Sequence, residues 1–250
     1  MSSRAIPQDL SDAIAQARSA TEAALGAGLG RVAVEIALPE LKVMPVAREF
    51  LQLFCDRGDR LKVFFPDAGA AALARRDWGD LPIALGDVGS GRTPTAGKIA
   101  AEDEIFLFVE ASSVEVNQVE TLCQEAGDRP VVFLNSRMED IATIGIGYAG
   151  RQLRERFLST IETVYSLRPI EGGAVRRAYP EPWEVWLEDG ATEGGYRLVD
   201  QVPQRPAGEV LDEIIFRAMG GDRGDASGSA GPKRQGFLGQ LQGFLRALSQ

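Results

Sequence analysis

The chain has 250 residues, of which 44% are hydrophobic and 25% charged, a globular composition long enough to bury one sizeable core, which excludes disordered and fibrous classes. A net charge of −9 argues against nucleic acid, whose phosphates reward clustered Lys and Arg. There is no histidine, which removes Ser-His-Asp and Cys-His chemistry and His-ligated metals, and neither a run of about 20 apolar residues nor a secretory leader is apparent.

In chain order, Gln8 to Leu25 carries Leu10, Ile14, Ala17, Thr21 and Leu25 at helical spacing. Arg31 to Leu38 is a near-continuous apolar run, the pattern of a strand covered on both faces. A helix from Pro45 to Gly58, a strand from Leu61 to Phe65 and an Ala-rich helix from Asp67 to Arg76 follow. A short strand is expected over Leu81 to Leu85, then a Gly/Thr/Pro loop over 86–98. Ile105 to Val109 reads as a strand, Val114 to Ala126 as a helix, and Pro130 to Leu134 as a strand. Strands alternating with helices predict an α/β fold, a mainly parallel Rossmann-like sheet flanked by helices.

The pattern changes after about residue 140. A charged helix is expected over Arg151 to Val164, then short aromatic runs at Tyr165–Ile170, Ala174–Tyr179, Trp183–Leu187 and Tyr196–Asp200. Separated by Gly and Pro, these predict a C-terminal antiparallel strand section. Val210 to Met219 closes the body as a helix. Residues 1–218 are therefore expected to form a single α/β domain, with the antiparallel extension over about 165–218. Residues 219–236 are Gly-rich and read as a flexible linker, and 237–250 as an amphipathic tail helix.

In the tail, Phe237, Leu238, Leu241, Phe244, Leu245 and Leu248 form one apolar stripe. Residues 226–250 contain no acid and carry Lys233, Arg234 and Arg246; this segment is +3, and with the whole chain at −9 the rest is −12. About 13 helical residues reach only about 20 Å, too short to span a bilayer. Burial of the six apolar side chains and the ordering of the segment nearly cancel, so the helix is expected to form only when docked on a membrane surface, a partner protein or its own body.

Asp67, Glu110 and Asn135 each follow a predicted strand, where open parallel sheets bind ligands. They could converge on a cleft for a hydroxyl, an amine or a hydrated cation, or act as helix caps and turn residues. Glu35, mid-strand among apolar neighbours, calls for an Arg or a donor set and reads as structural pairing. Trp183 and Trp186 could form an exposed partner surface or pack between the strands and the last helix. Cys55 and Cys123 read as reduced, half-buried helix residues. Gly145 to Gly150 fits GxGxxG but follows the α/β section, and the Gly91–Ile99 likeness to a phosphate loop has the wrong spacing; neither is taken as a nucleotide site.

An ordered set of motifs carries a resemblance: Val34-Glu35 with Pro39-Glu40-Leu41, Phe65-Pro66-Asp67 with Ala70, and the strand ending at Asn135. Arg156-Phe157 then leads to Tyr165-Ser166-Leu167-Arg168-Pro169, and Arg177-Ala178-Tyr179-Pro180-Glu181-Pro182-Trp183 completes the set. Over about residues 5–218 the chain resembles the domain-of-unknown-function family "nineteen ninety-five" of cyanobacteria and chloroplasts, departing from it at Asn135-Ser136, where Asn-Pro is expected. The family includes a chloroplast factor called Low Photosystem II Accumulation three. The resemblance therefore implies a non-catalytic photosystem II assembly or biogenesis factor of cyanobacterial origin, cytoplasmic and peripheral on the thylakoid membrane, with a protein client and no cofactor. A similar domain fused to a plant adenylate kinase keeps open the alternative of a small-molecule or nucleotide-binding enzyme with its cleft at the strand C-termini. The resemblance supplies no catalytic residues.

Overall fold

The structure, a computed structural model, describes residues 5–89, 95–139, 148–192 and 194–220. Asp9 accepts a hydrogen bond from the Asp12 amide and starts α1 (Leu10–Gly26), whose buried stripe runs through Ala13, Ile14, Ala17, Ala20 and Ala24. Strand β1 (Arg31–Ile36) follows, then α2 (Val43–Phe50), which tightens into a 3-10 segment at Leu51–Arg60. Next come β2 (Leu61–Phe65), α3 (Ala68–Trp78), β3 (Ala84–Asp87), β4 (Ile105–Val109), α4 (Val116–Ala126) and β5 (Val131–Leu134). The chain continues through α5 (Tyr148–Arg156), a 3-10 turn at Leu158–Thr160, β6 (Glu162–Ile170), β7 (Gly173–Ala178), β8 (Trp183–Glu188), β9 (Tyr196–Val202) and α6 (Gly208–Ala218).

All nine strands join one sheet in the order β3-β2-β4-β5-β1-β6-β7-β8-β9. The first six strands in chain order are mutually parallel, and β6 to β9 run as an antiparallel meander. The expected α/β class, with a mostly parallel sheet and a C-terminal antiparallel section, is what the chain adopts. Several boundaries move, two of them because of strand pairing. The third strand lies at Ala84–Asp87 rather than Leu81–Leu85, because β2 pairs Lys62 with Ala84 and Phe65 with Asp87. The helix expected over Arg151–Val164 ends at Arg156, and Glu162 to Val164 enter β6, where β1 claims Glu162 and Thr163 as partners of Val32 and Ala33.

Each face of the sheet has its own core. On one, α1, α2 and α3 cover Val32, Val34, Ile36, Val63, Phe65, Leu107 and Leu134. On the other, α4 and the residues around α5 cover Phe64, Phe106, Phe108 and Phe133. Phe64, Phe108 and Phe133 stack in a row across β2, β4 and β5, with centroids 5.0 and 5.3 Å apart, because the parallel register places them side by side. Burial on both faces explains the unbroken apolar runs of β4 and β5.

The meander is held differently. Beneath α1, fully buried Arg176 donates to Glu184 at 2.6 Å and to Gln16 at 3.2 Å, and the Trp186 indole donates to the same Glu184 carboxylate at 2.9 Å. Removing one member of such a pair strands a charge in a medium that cannot solvate it. At the β7–β8 pairing, a Cβ on Gly173 would lie 2.0 Å from the Trp186 carbonyl oxygen, so only glycine permits this approach.

Arg176→Ala is expected to cost about 3–5 kcal/mol in urea unfolding, whereas Arg176→Met combined with Glu184→Leu recovers most of that loss.

Candidate functional site

The three strand-end residues do not meet as ligands. The Asp67 carboxylate accepts from the Ala70 amide at 2.9 Å and is the N-cap of α3. Asn135 turns its side chain onto β1, accepting from the Ile36 amide at 2.7 Å and donating to the Ile36 carbonyl at 3.1 Å. Its carboxamide thus stands in for one rung of strand pairing just past β5, and its φ of 49° suits Asn. Glu110, past β4, also has a positive φ of 54° and is exposed; its amide donates to the Leu134 carbonyl at 2.9 Å, and its carboxylate has no hydrogen bond among the described residues. Desolvation against the strand ends pushes its carboxyl pKa up, and Arg137 partly pulls it back. Hence the cleft expected at Asp67, Glu110 and Asn135 is replaced by a cap, a strand tie and one isolated carboxylate.

A cleft does open at the carboxyl edge of the parallel sheet, one strand further along. Chain leaves β1 into α2 on one face and β5 into α5 on the other, the divergence at which open sheets form a crevice. There a cavity of about 610 Å³ is lined by Glu35, Arg137, Arg168 and Arg205, with Ser112 and Ser136 on its walls. Glu35 takes Arg168 Nη2 on Oε1 at 2.5 Å and Ser166 Oγ on Oε2 at 3.2 Å, and Arg205 also pairs with Oε2. The structural pairing expected of Glu35 is present, and its partners come from β6 and the segment before α6. Arg205 stacks on Trp183 with its guanidinium carbon 4.8 Å from a ring centroid, and Arg177 lies 5.7 Å from the same residue's ring. Burial lowers the Arg205 pKa from its ordinary value.

Trp183 and Trp186 are therefore packing residues and not an exposed surface; both are buried. The register shift between Val185 and Trp186 accompanies a division of labour, with Trp186 in the α1-side core and Trp183 under Arg205. Cys123 is fully buried, and desolvation raises its thiol pKa to about 12. Cys55 is exposed instead of half-buried, on the 3-10 segment that follows α2. It borders a mainly apolar groove of about 610 Å³ lined also by Pro45, Leu51, Leu81 and Pro82. Lys98, the cation of the phosphate-loop look-alike, pairs with Asp87 at 3.0 Å. Ser90–Pro94 and Gly145–Gly147 lie outside the described residues.

The tail residues Lys233, Arg234, Phe237, Leu238, Leu241, Phe244, Leu245, Arg246 and Leu248 also lie outside the described residues. At the end of the described residues, α6 buries Ile214 and leaves Phe216 53% exposed, with Met219, the C-cap, 76% exposed. Among the described residues, no helix is long and apolar enough to cross a membrane, and no three Cys, Asp or Glu side chains gather as a metal site.

The sequence reading missed Arg137, Arg168 and Arg205 as a group. Each looks like an isolated surface cation in the chain, and only the placing of β1 between β5 and β6 brings them to one cleft. Residues 7–213 match the family described as Domain of unknown function (DUF1995), and the chain belongs to that family.

Asn135→Ala is expected to cost about 2–4 kcal/mol, from the Ile36 amide left without its acceptor and from a left-handed backbone without Asn. Asn135→Gly should recover the backbone part alone; chemical unfolding separates the two. Because the folded Glu110 pKa is raised, its contribution is fully present below the ordinary Glu value and lost as pH rises through the folded value. Glu110→Gln is accordingly expected to be the more stable protein at pH 7, with the difference vanishing under acid, as thermal melts across pH will register.

Proposed function

We propose that this member of the family is a non-catalytic binding protein that helps assemble a photosynthetic membrane complex, photosystem II by the resemblance, from the thylakoid surface. The single observation that carries this reading is the C-terminal arrangement. The last described helix holds Phe216 in solvent, with Met219 exposed at its C-cap, and beyond a Gly-rich stretch the sequence carries one apolar stripe and three cations. Exposed apolar side chains next to an amphipathic basic segment suit a peripheral attachment that is made and released, since neither element is long enough to insert irreversibly. Lys233, Arg234 and Arg246 would each add about 1 kcal/mol on an anionic leaflet. The acidic remainder of the chain, repelled by such a leaflet, would face away from it and toward a protein client.

The test is sedimentation with vesicles containing anionic lipid. The full chain is expected to pellet with them and to be released by salt, while a chain ending at residue 220 stays in the supernatant. Leu241→Glu with Leu245→Glu should behave like the shortened chain. Equal partition of all three proteins would overturn the attachment.

A further inference from the structure

We propose that the cleft at the carboxyl ends of β5, β1 and β6 binds a small amphipathic anion, an apolar body carrying a phosphate or carboxylate head. This site goes beyond the membrane and client contacts proposed above and uses none of the same residues.

Charge is the first argument. In a chain of net charge −9, three guanidinium groups from three separate stretches line one cavity, Arg137 after β5, Arg168 on β6 and Arg205 before α6. Among the described residues, the carboxylates lining it are Glu35 and Glu139. Glu35 engages Arg168 and Arg205 through one terminal nitrogen of each, so each fork keeps further N–H donors. The Arg137 backbone amide donates to the Ala111 carbonyl at 2.7 Å, while its guanidinium has neither a hydrogen bond nor a salt bridge among the described residues, only the electrostatic pull of Glu110. A guanidinium without such a partner among the described residues, beside two held by Glu35, suits recognition of a planar or tetrahedral anion.

Pre-organisation is the second. Arg205 is held from below by the Trp183 ring and from the side by Glu35 and Ser166 Oγ, the latter at 3.2 Å, so little side-chain freedom remains to be lost on binding. Ser136 Oγ, on the cleft wall, is buried without a hydrogen-bond partner among the described residues, a spare donor next to Arg137.

Shape and polarity are the third. Phe133, Leu158, Ile161 and Met138 furnish apolar lining, and Val114, 72% exposed, stands on the same wall. An apolar stretch of lining beside arginine, serine and threonine side chains, around about 610 Å³, suits a small molecule with one apolar and one charged end. An anion without an apolar body would leave that lining wet; an uncharged apolar ligand would leave Arg137 unanswered.

Phenyl phosphate is the probe, titrated calorimetrically into the full chain, with inorganic phosphate as comparator. Saturable binding is expected, tighter for phenyl phosphate by about tenfold, as burial of a ring face predicts. Arg137→Gln, at an exposed position that carries no fold contact through its side chain, is expected to weaken it by about tenfold or more. Arg205→Gln should do the same and also alter Trp183 fluorescence. A lipid headgroup shares this chemistry, so the same variants are tested on phosphatidic-acid vesicles. Because the tail already holds the chain on such vesicles, a weakening by Arg137→Gln relative to the unsubstituted full chain on both probes assigns the anion to a membrane lipid, and weakening on phenyl phosphate alone assigns it to a soluble ligand. Absence of saturable binding at millimolar phenyl phosphate, or binding unchanged in both Arg variants, would overturn the site.

Discussion

Strand β6 hydrogen-bonds in parallel to β1 on one side and antiparallel to β7 on the other, and every other feature of the molecule depends on that double pairing. It makes one continuous sheet from two segments of unlike sequence. The seam carries a register shift between Ala33 and Val34, opposite Thr163 and Tyr165, and such bulges re-aim side chains. Beyond it, Glu35 stands directly beside Ser166, with Arg168 two residues further along β6. A carboxylate in mid-sheet would be costly alone. Here two guanidinium groups answer it, and in doing so they fix the segment before α6 onto the seam.

The opposite face of the meander is fastened by the same kind of device. Arg176, Glu184, Gln16 and the Trp186 indole form a buried network beneath α1. Such networks add little net stability over an apolar core of equal volume, but they penalise wrong partners and wrong registers. The meander is thus positioned by charge on both faces, while the parallel half is positioned by apolar packing. That difference explains why the two halves look so unlike one another in sequence.

It also governs what could be read before the fold was in hand. The β4 and β5 strands are legible because burial on both faces leaves only apolar residues, β2 because Lys62 alone interrupts its apolar run, and α3 because Asp67 announces its start. The end of α5 is not, since Leu153, Phe157, Leu158 and Ile161 keep helical spacing while the chain turns to meet β1. Asn135 is recognisable as a strand-end residue, yet nothing local reveals that its side chain reaches Ile36, 99 positions away in the chain. The cleft is illegible for the same reason. Strand order decides which loops become neighbours, and periodicity carries strand identity but not order. Trp183 and Trp186 could be read either way until both faces of the meander were seen to be covered.

On the function proposed above, the C-terminal segment attaches the chain to a membrane and the acidic remainder turns toward a protein client. The most direct measurement is a tagged pull-down from gently solubilised photosynthetic membranes, comparing the full chain with one ending at residue 220 by quantitative mass spectrometry. The full chain is expected to recover a photosystem subunit together with other assembly factors, and the shortened chain markedly less. Recovery of metabolic enzymes alone, or of the same proteins in the same amounts by both chains, would contradict the proposed function.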